Sequence, residues 1–371
     1  MSRFLQLHVL TTYPASNLNR DDLGRPKTVK MGNCQRLRVS SQSLKRAWRT
    51  SEYISGGLAD NFGTRTKEIG KYVYFALVNG VTFHEAMLDA GATGDRTTVK
   101  KNAAEEIARA IAGAFAKNKA QYKAKQDEFN EKAFLDSLET EQMAHVNPVE
   151  LAAVAALVED CRETGKVPEA ENLDLLRGEG NAVDVAMFGR MLASRPEFNV
   201  EAAVQVAHAM TVHKGVVEDD FFTAVDDLNK DDAGAGHMGV AEFGAGVFYL
   251  YVCIDRELLK ENLGGDAALC NRALEALTRA VVTVSPSGKQ NSFASRAVAS
   301  YCLAEKGDTH PRTLAEAFLK PMDGADPLAD AIAALETKRD SFDTMLGETA
   351  DACVYGHGRA TLPELCGFIA E

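Results

Sequence analysis

V-F-Y-L-Y-V-C-I-D, residues 247–255, is the strongest strand signal in this chain, a nine-residue apolar run dominated by aromatic and β-branched side chains with one closing acid. Reading forward from it, 267–282 has helical register through Leu269, Ala273, Leu277 and Ala280, and 297–304 reads as a further central strand. Short helices are expected to fill the tail. Reading backward, 213–246 is a turn-rich excursion dense in Asp and Gly, and 201–212 reads as a helix with Ala202, Val206, Ala209 and Met210 inward. Strand-like character is expected at 183–191. The block from about 60 to 180 is Ala- and Glu-rich, with Ala104, Ile107, Ala108, Ile111 and Phe115 at helical spacing. Asn147-Pro148-Val149-Glu150 supplies a cap, a first-turn proline and an acid that open another helix. Before that block, Leu44, Ala47, Trp48 and Ser51 form the inward stripe of a helix over 41–51, and Phe4–Thr11 alternates as a first strand. With the excursions removed, the order is strand, helix, strand, strand, helix, strand. That order predicts an α+β, ferredoxin-like split β-α-β fold, which is also the RNA-recognition-motif scaffold.

Charge is distributed unevenly. The chain holds 41 Lys/Arg and 53 Asp/Glu over 371 residues, a net −12, yet residues 1–50 hold ten of the cations and two of the acids. The remainder therefore carries 31 against 51. A cationic stretch on an otherwise anion-repelling body is the footprint of a phosphate-binding surface. Arg20, Arg25, Lys27, Lys30, Arg36 and Arg38 gather before the helix, and Lys45, Arg46 and Arg49 lie on the side of it opposite the inward stripe. Ser40, Ser41 and Ser43 crowd its start, where free backbone N–H groups and the helix dipole favour an anion. The polar loop Ser285–Ser292 puts Lys289 within reach of a phosphate if the fold brings the loop beside that helix.

Other signals argue against chemistry. Gly234 to Gly239 spells G-x-G-x-x-G, but an acidic run precedes it and no helical pattern follows, so it is not a dinucleotide fingerprint. Five glycines in thirteen residues there point instead to a bent hairpin touching another backbone. Asp227, Asn229 and Asp231 imitate the start of a calcium loop, yet Asp232 and Met238 stand where glycine and glutamate are required. His208 and His213 are five apart, one too many to share a helical face, and His237 is a loop histidine without an evident partner. Seven scattered cysteines without C-x-x-C spacing suit reduced thiols. No membrane-spanning run and no signal peptide are evident, so a cytoplasmic protein is expected. We expect no catalytic centre, no cofactor and no metal.

Several stretches also resemble a known family: L-N-R-D-D at 18–22, R-V-S-S-Q-S-L-K-R-A at 38–47, G-R-M at 189–191, F-T-A-V-D-D-L at 222–228, H-M-G-V-A-E-F-G-A-G-V-F-Y at 237–249 and K-Q at 289–290. Together, and in this order, they resemble the CasC family, the backbone subunits of type I-E CRISPR Cascade complexes in the RAMP superfamily. The resemblance implies a hand-shaped subunit with a palm (1–59, 181–212, 248–371), helical fingers (60–180) and a β-hairpin thumb (213–247). It further implies multiple copies along one CRISPR RNA, beside other Cascade subunits, with the guide left free to pair with a target DNA strand. Carried onto this chain, Arg20, Lys27, Ser40, Ser41, Gln42, Lys45, Arg46 and Arg49, with Lys289 and Gln290, are expected to contact the RNA. Met191 and Met238 would flank a displaced nucleotide, and Phe221 or Phe222 would offer a stacking face. Relatives often carry leucine at position 238 and a smaller apolar residue at position 48. A metal-dependent ribonuclease of the same superfamily, using Asp226 and Asp227, is the alternative.

Overall fold

The computed structural model describes residues 2–123, 129–177, 182–225 and 235–370. Its contacts divide into two units: Met1–Leu58, Val204–Leu259 and Ala267–Glu371 form one, and Ala59–Ala203 with Lys260–Asp266 form the other.

The first unit is built on an antiparallel sheet. Its strands are β1 (Phe4–Ser16), β2 (Thr28–Met31) and β3 (Cys34–Val39), then, after helix α1 (Ser41–Arg49), β4 (Val204–Val206), β5 (Ala209–Thr211), β6 (Glu218–Val225) and β7 (Ala235–Asp255). Helix α2 (Ala267–Thr283), strand β8 (Ala299–Gly307), helix α3 (Pro327–Leu346), strand β9 (Asp351–Gly356) and helix α4 (Leu362–Ala370) follow. The hydrogen-bonded order is β9-β8-β1-β7-β5-β3-β2, with β4 and β6 also paired to β7. β1 lies between β8 and β7, with Leu7 opposite Ala304 on one side and Val252 on the other.

Alternation along β1 sorts side chains to two buried faces. Leu10 joins Tyr249, Tyr301 and Leu303 in a core closed by Leu314, Phe318 and the α3 residues Ala331, Ile332 and Leu335. Leu5, Leu7 and Val9 point the other way and are equally buried, and α2 packs on the neighbouring strand β8. α1 packs on α2 through its apolar stripe, with Leu44 and Trp48 buried.

Three elements differ from the sequence-based expectation. Residues 183–188, read as strand, form a helix, Val183–Phe188, because so short a mainly apolar and buried run carries no period to separate the two. Residues 201–212, read as helix, supply β4 and β5: Val204 pairs Ile254 and Met210 pairs Tyr249. There the long strand β7 offers backbone partners, and the β-branched Val204, Val206 and Thr211 take them. The tail holds a twenty-residue helix rather than only short ones. Asp326 caps it by accepting from the amides of Leu328 and Ala329, ahead of Pro327.

The second unit is mainly helical. Ala104, Ile107, Ala108, Ile111 and Phe115 are all buried, as their spacing predicts, against Val73 and Leu77 of helix Ile69–Asn79. The expected capping box is present: the Glu150 amide donates to Asn147 Oδ1 (2.8 Å) and the Asn147 amide to Glu150 Oε2 (2.9 Å). Among the described residues, no helix is long and apolar enough to cross a membrane.

Candidate nucleic-acid interface

Ser40 sits in extended geometry at the start of α1 but makes no side-chain cap, so the helix entry is held by other groups. Asn19 Oδ1 accepts the Ser40 amide (2.9 Å). His208 Nδ1 accepts from the Ser41 amide (3.3 Å) and from Arg38 Nη1 (3.0 Å). A ring nitrogen accepting from two donors carries no proton, so this imidazole is neutral with its hydrogen on Nε2. Burial, and then the nearby Arg38 and Lys27 charges, lower its pKa and favour the same state. His208 is thus a member of the helix entry that spacing along the chain concealed, because its partners come from residues 38 and 41.

Of the other residues expected here, Ser40 is buried, Ser41, Lys27, Lys45 and Arg49 are half-buried, and Gln42 and Arg46 are exposed. Desolvation pushes the Lys45 ammonium below the usual lysine range, and an arriving anion would oppose that shift. Among the described residues, Arg20, Lys27 and Arg46 form no ion pair with a carboxylate. One basic residue is misassigned by sequence. Arg36 is fully buried and donates to the carbonyls of Met31, Thr211 and Phe318. It ties β3 to β5 and to the turn beneath α3 and is withdrawn from the phosphate-facing set.

A groove of about 360 Å³ gathers residues far apart in sequence: Arg20 and Arg25 from the first loop, Phe222 and Glu242 from the β6–β7 hairpin, Lys289 from the loop after α2. Buried Asn17 clamps the loop to the hairpin, its Nδ2 donating to Gly24 O (3.0 Å) and Glu242 O (2.8 Å). Asp21 is engaged in the turn, accepting the amides of Leu23 and Arg25 at 2.9 Å each, while Arg25 pairs with Glu242 at 3.1 Å. The Ser285–Ser292 loop reaches this site by close backbone approach. A Cβ on Gly288 would fall 2.3 Å from Leu18 O, so only glycine fits there. Lys289 follows at φ +53, exposed, and Gln290 accepts from Ser295 Oγ (3.0 Å).

The hairpin register separates its two phenylalanines. Phe221 opposes Val240 and Thr223 opposes Met238, which puts Phe221, Val240 and Met238 on one face. Phe222 opposes Gly239 and its ring lies over that residue, where a Cβ would come within 2.5 Å of it. Phe222 lines the groove and is 42% exposed, whereas Phe221 and Met238 are 64% and 63% exposed. Met191 belongs to the second unit and is 82% exposed. Residues 235–239 lie within β7, so no helix follows the glycine pattern. Asp226 and Asp227, the acids of the nuclease alternative, lie outside the described residues, as do Asn229, Asp231 and Asp232 of the calcium-like pattern. Among the described residues, no three His, Cys, Asp or Glu side chains gather as a metal site requires.

The chain is similar over its whole length to a chain of a structure titled "CRISPR RNA-guided surveillance complex, pre-nicking": 29% identity, 99% of each chain covered, TM-score 0.79. A chain of a second, titled "CRISPR RNA-guided surveillance complex", matches at 26% identity over 99% of this chain and 98% of that one, TM-score 0.58. Both are subunits of CRISPR surveillance assemblies, and the resemblance read from the sequence is borne out. Residues 5–365 match the family described as CT1975-like protein, and the chain belongs to that family. No curated protein matches it.

Proposed function

We propose that this chain is a non-catalytic backbone subunit of a type I-E Cascade complex, binding one CRISPR RNA by its phosphates in several adjoining copies and leaving the bases to pair with target DNA. The observation that carries the reading is the groove in which Arg20, Phe222 and Lys289 converge from three separate segments; of the three acids that also line it, Glu242 is paired with Arg25 and Asp21 is engaged by the amides of its own turn. Backbone contacts without base readout are what a guide-holding protein requires. The strand order β8-β1-β7 with β4 and β5 beyond it supports a ferredoxin-like palm. In this reading 60–180 are the fingers and 213–247 the thumb. Both faces of the palm sheet are buried, one beneath α3 and the other at Leu5, Leu7 and Val9. That favours a guide path along the α1 entry and the groove, rather than across an open sheet as in a simple RNA-recognition motif.

The test is a salt titration of guide-RNA binding with Lys45→Ala and Arg49→Ala. Each lost phosphate contact should reduce the log–log slope by about 0.7 for a single strand. A slope equal to wild type in the double variant would refute the assignment.

A further inference from the structure

His208 stands between β4 and β5, exposed, with one edge of its ring against the α1 entry. A neutral imidazole has a single acceptor, and here that one atom, Nδ1, holds two donors: Arg38 Nη1 at 3.0 Å and the Ser41 amide at 3.3 Å. Ser41 is the first residue of α1, so its N–H belongs to the positive end of the helix dipole. The two side-chain charges that act on the ring, Arg38 of β3 and Lys27 of the segment before β2, are positive as well. Among the described residues, neither is paired with a carboxylate. Ser40 occupies the capping position without making the cap, and the first turn of α1 holds no acid. Positive potential therefore gathers around this imidazole with no negative group to balance it.

Two proton states of the ring make different hydrogen bonds. With Nδ1 bare, His208 accepts from Arg38 and from the Ser41 amide and keeps both engaged. Once Nδ1 takes a proton from solvent it can accept nothing, and it directs a donor at two donors. Both contacts then break. Arg38, the Ser41 amide and the imidazolium are left converging on a space with no acceptor in it. A phosphate oxygen supplies the acceptor and the negative charge together.

We propose that His208 is a proton-gated phosphate ligand: its neutral ring keeps Arg38 and the Ser41 amide occupied, and its imidazolium releases both to a guide phosphate and donates beside them. This rests on the proposed guide-binding function, whose site it regulates. In the free protein, desolvation and then Arg38 and Lys27 hold the imidazole below its usual range, so at neutral pH the ring is bare at Nδ1. A bound phosphate reverses the sign of the local field and raises the value again. Binding therefore takes up a proton. Affinity climbs as pH falls through the bound-state value and levels off below the free-state one. The steepest dependence that one such group can give is about tenfold per pH unit.

The experiment measures binding of the full chain to a single-stranded RNA with a 5′-hydroxyl end, whose phosphodiesters do not titrate, at fixed salt between about pH 5.5 and about pH 8. Wild type should bind more tightly toward the acid end, and calorimetry in buffers of different ionisation enthalpy should register proton uptake. In His208→Asn an amide oxygen takes the place of Nδ1 as an acceptor that never titrates. That variant should bind at every pH as wild type does at the alkaline end, without the added proton. The chain holds eight histidines, so the readout is the difference between the two proteins. NMR of the His208 ring reads the same event without a substitution: its pKa should rise when RNA is added. A gap between wild type and His208→Asn that stays constant with pH overturns the proposal, and so does a His208 pKa that RNA leaves unmoved. Wild type that binds no RNA at any pH sinks instead the function on which it rests.

Discussion

Arg20 and Lys289 lie on the same groove although one precedes the sheet's first crossover and the other follows its second helix. Replacing both by alanine is the sharpest probe of whether one strand is gripped there. Neither forms an ion pair with a carboxylate among the described residues, so their removal strands no buried acid, and stability should hold. If each neutralises one phosphate, each single variant lowers the salt slope of guide binding by about 0.7 and the double variant by about 1.4. Between roughly 50 and 200 mM salt, the affinity gap between wild type and double variant should then change by about sevenfold, wider at the lower concentration. Fluorescence anisotropy with a labelled single-stranded guide, at four or more salt concentrations, measures this directly. A double variant with the wild-type slope would show that the groove is not on the RNA path. A slope reduced by only one residue's worth would show that the convergence of the two segments is incidental.

Three further outcomes follow from other parts of the first unit. His8 is buried and held below the usual imidazole range by desolvation, its Nδ1 accepting from Tyr249 OH (2.9 Å) and its Nε2–H donating to Glu305 Oε2 (3.1 Å). The ring is neutral when folded, and Arg312 supplies the cation that faces Glu305. Because the unfolded chain takes up the proton first, His8's contribution is complete above about pH 6.5 and declines as pH falls below that value. The melting temperature should drop on acidification through this window, and His8→Gln should flatten the drop while lowering stability at neutral pH. Trp48→Ala empties a fully buried position in α1 and should cost about 3–5 kcal/mol in denaturant unfolding. Gly239→Ala places a Cβ against the Phe222 ring and should turn it out of the groove. RNA affinity should fall by about 1–3 kcal/mol of lost stacking with no change in salt slope, and an unchanged affinity would remove Phe222 from the interface.

Periodicity and composition, read locally, were enough for the long elements. Phe4, Val247 and Ala267 begin segments whose patterns run for two or more turns or several residue pairs, and the structure extends rather than replaces them. The concentration of cations before residue 50 was equally plain, as was the capping box at Asn147, because both are properties of neighbours along the chain. Short segments were another matter. Val183–Phe188 and Ala209–Thr211 each take the element opposite to the one their pattern predicts, since three to six residues fit either period and the decision falls to whichever backbone stands opposite.

The site divides in the same way. Residue type announced which side chains carry positive charge, but only packing shows that Arg36 spends its charge on three carbonyls inside the protein while Arg20 faces the groove. The Phe221–Phe222 pair reads identically in one dimension, and it is strand register against Val240 and Gly239 that sends one ring to each face. His208, Asn17 and Asn19 carry no local signature, because a hydrogen bond joins groups by distance in space. Local order in a chain fixes propensity and charge; which distant groups meet, and hence what the surface does, is set by the register and closure of the sheet.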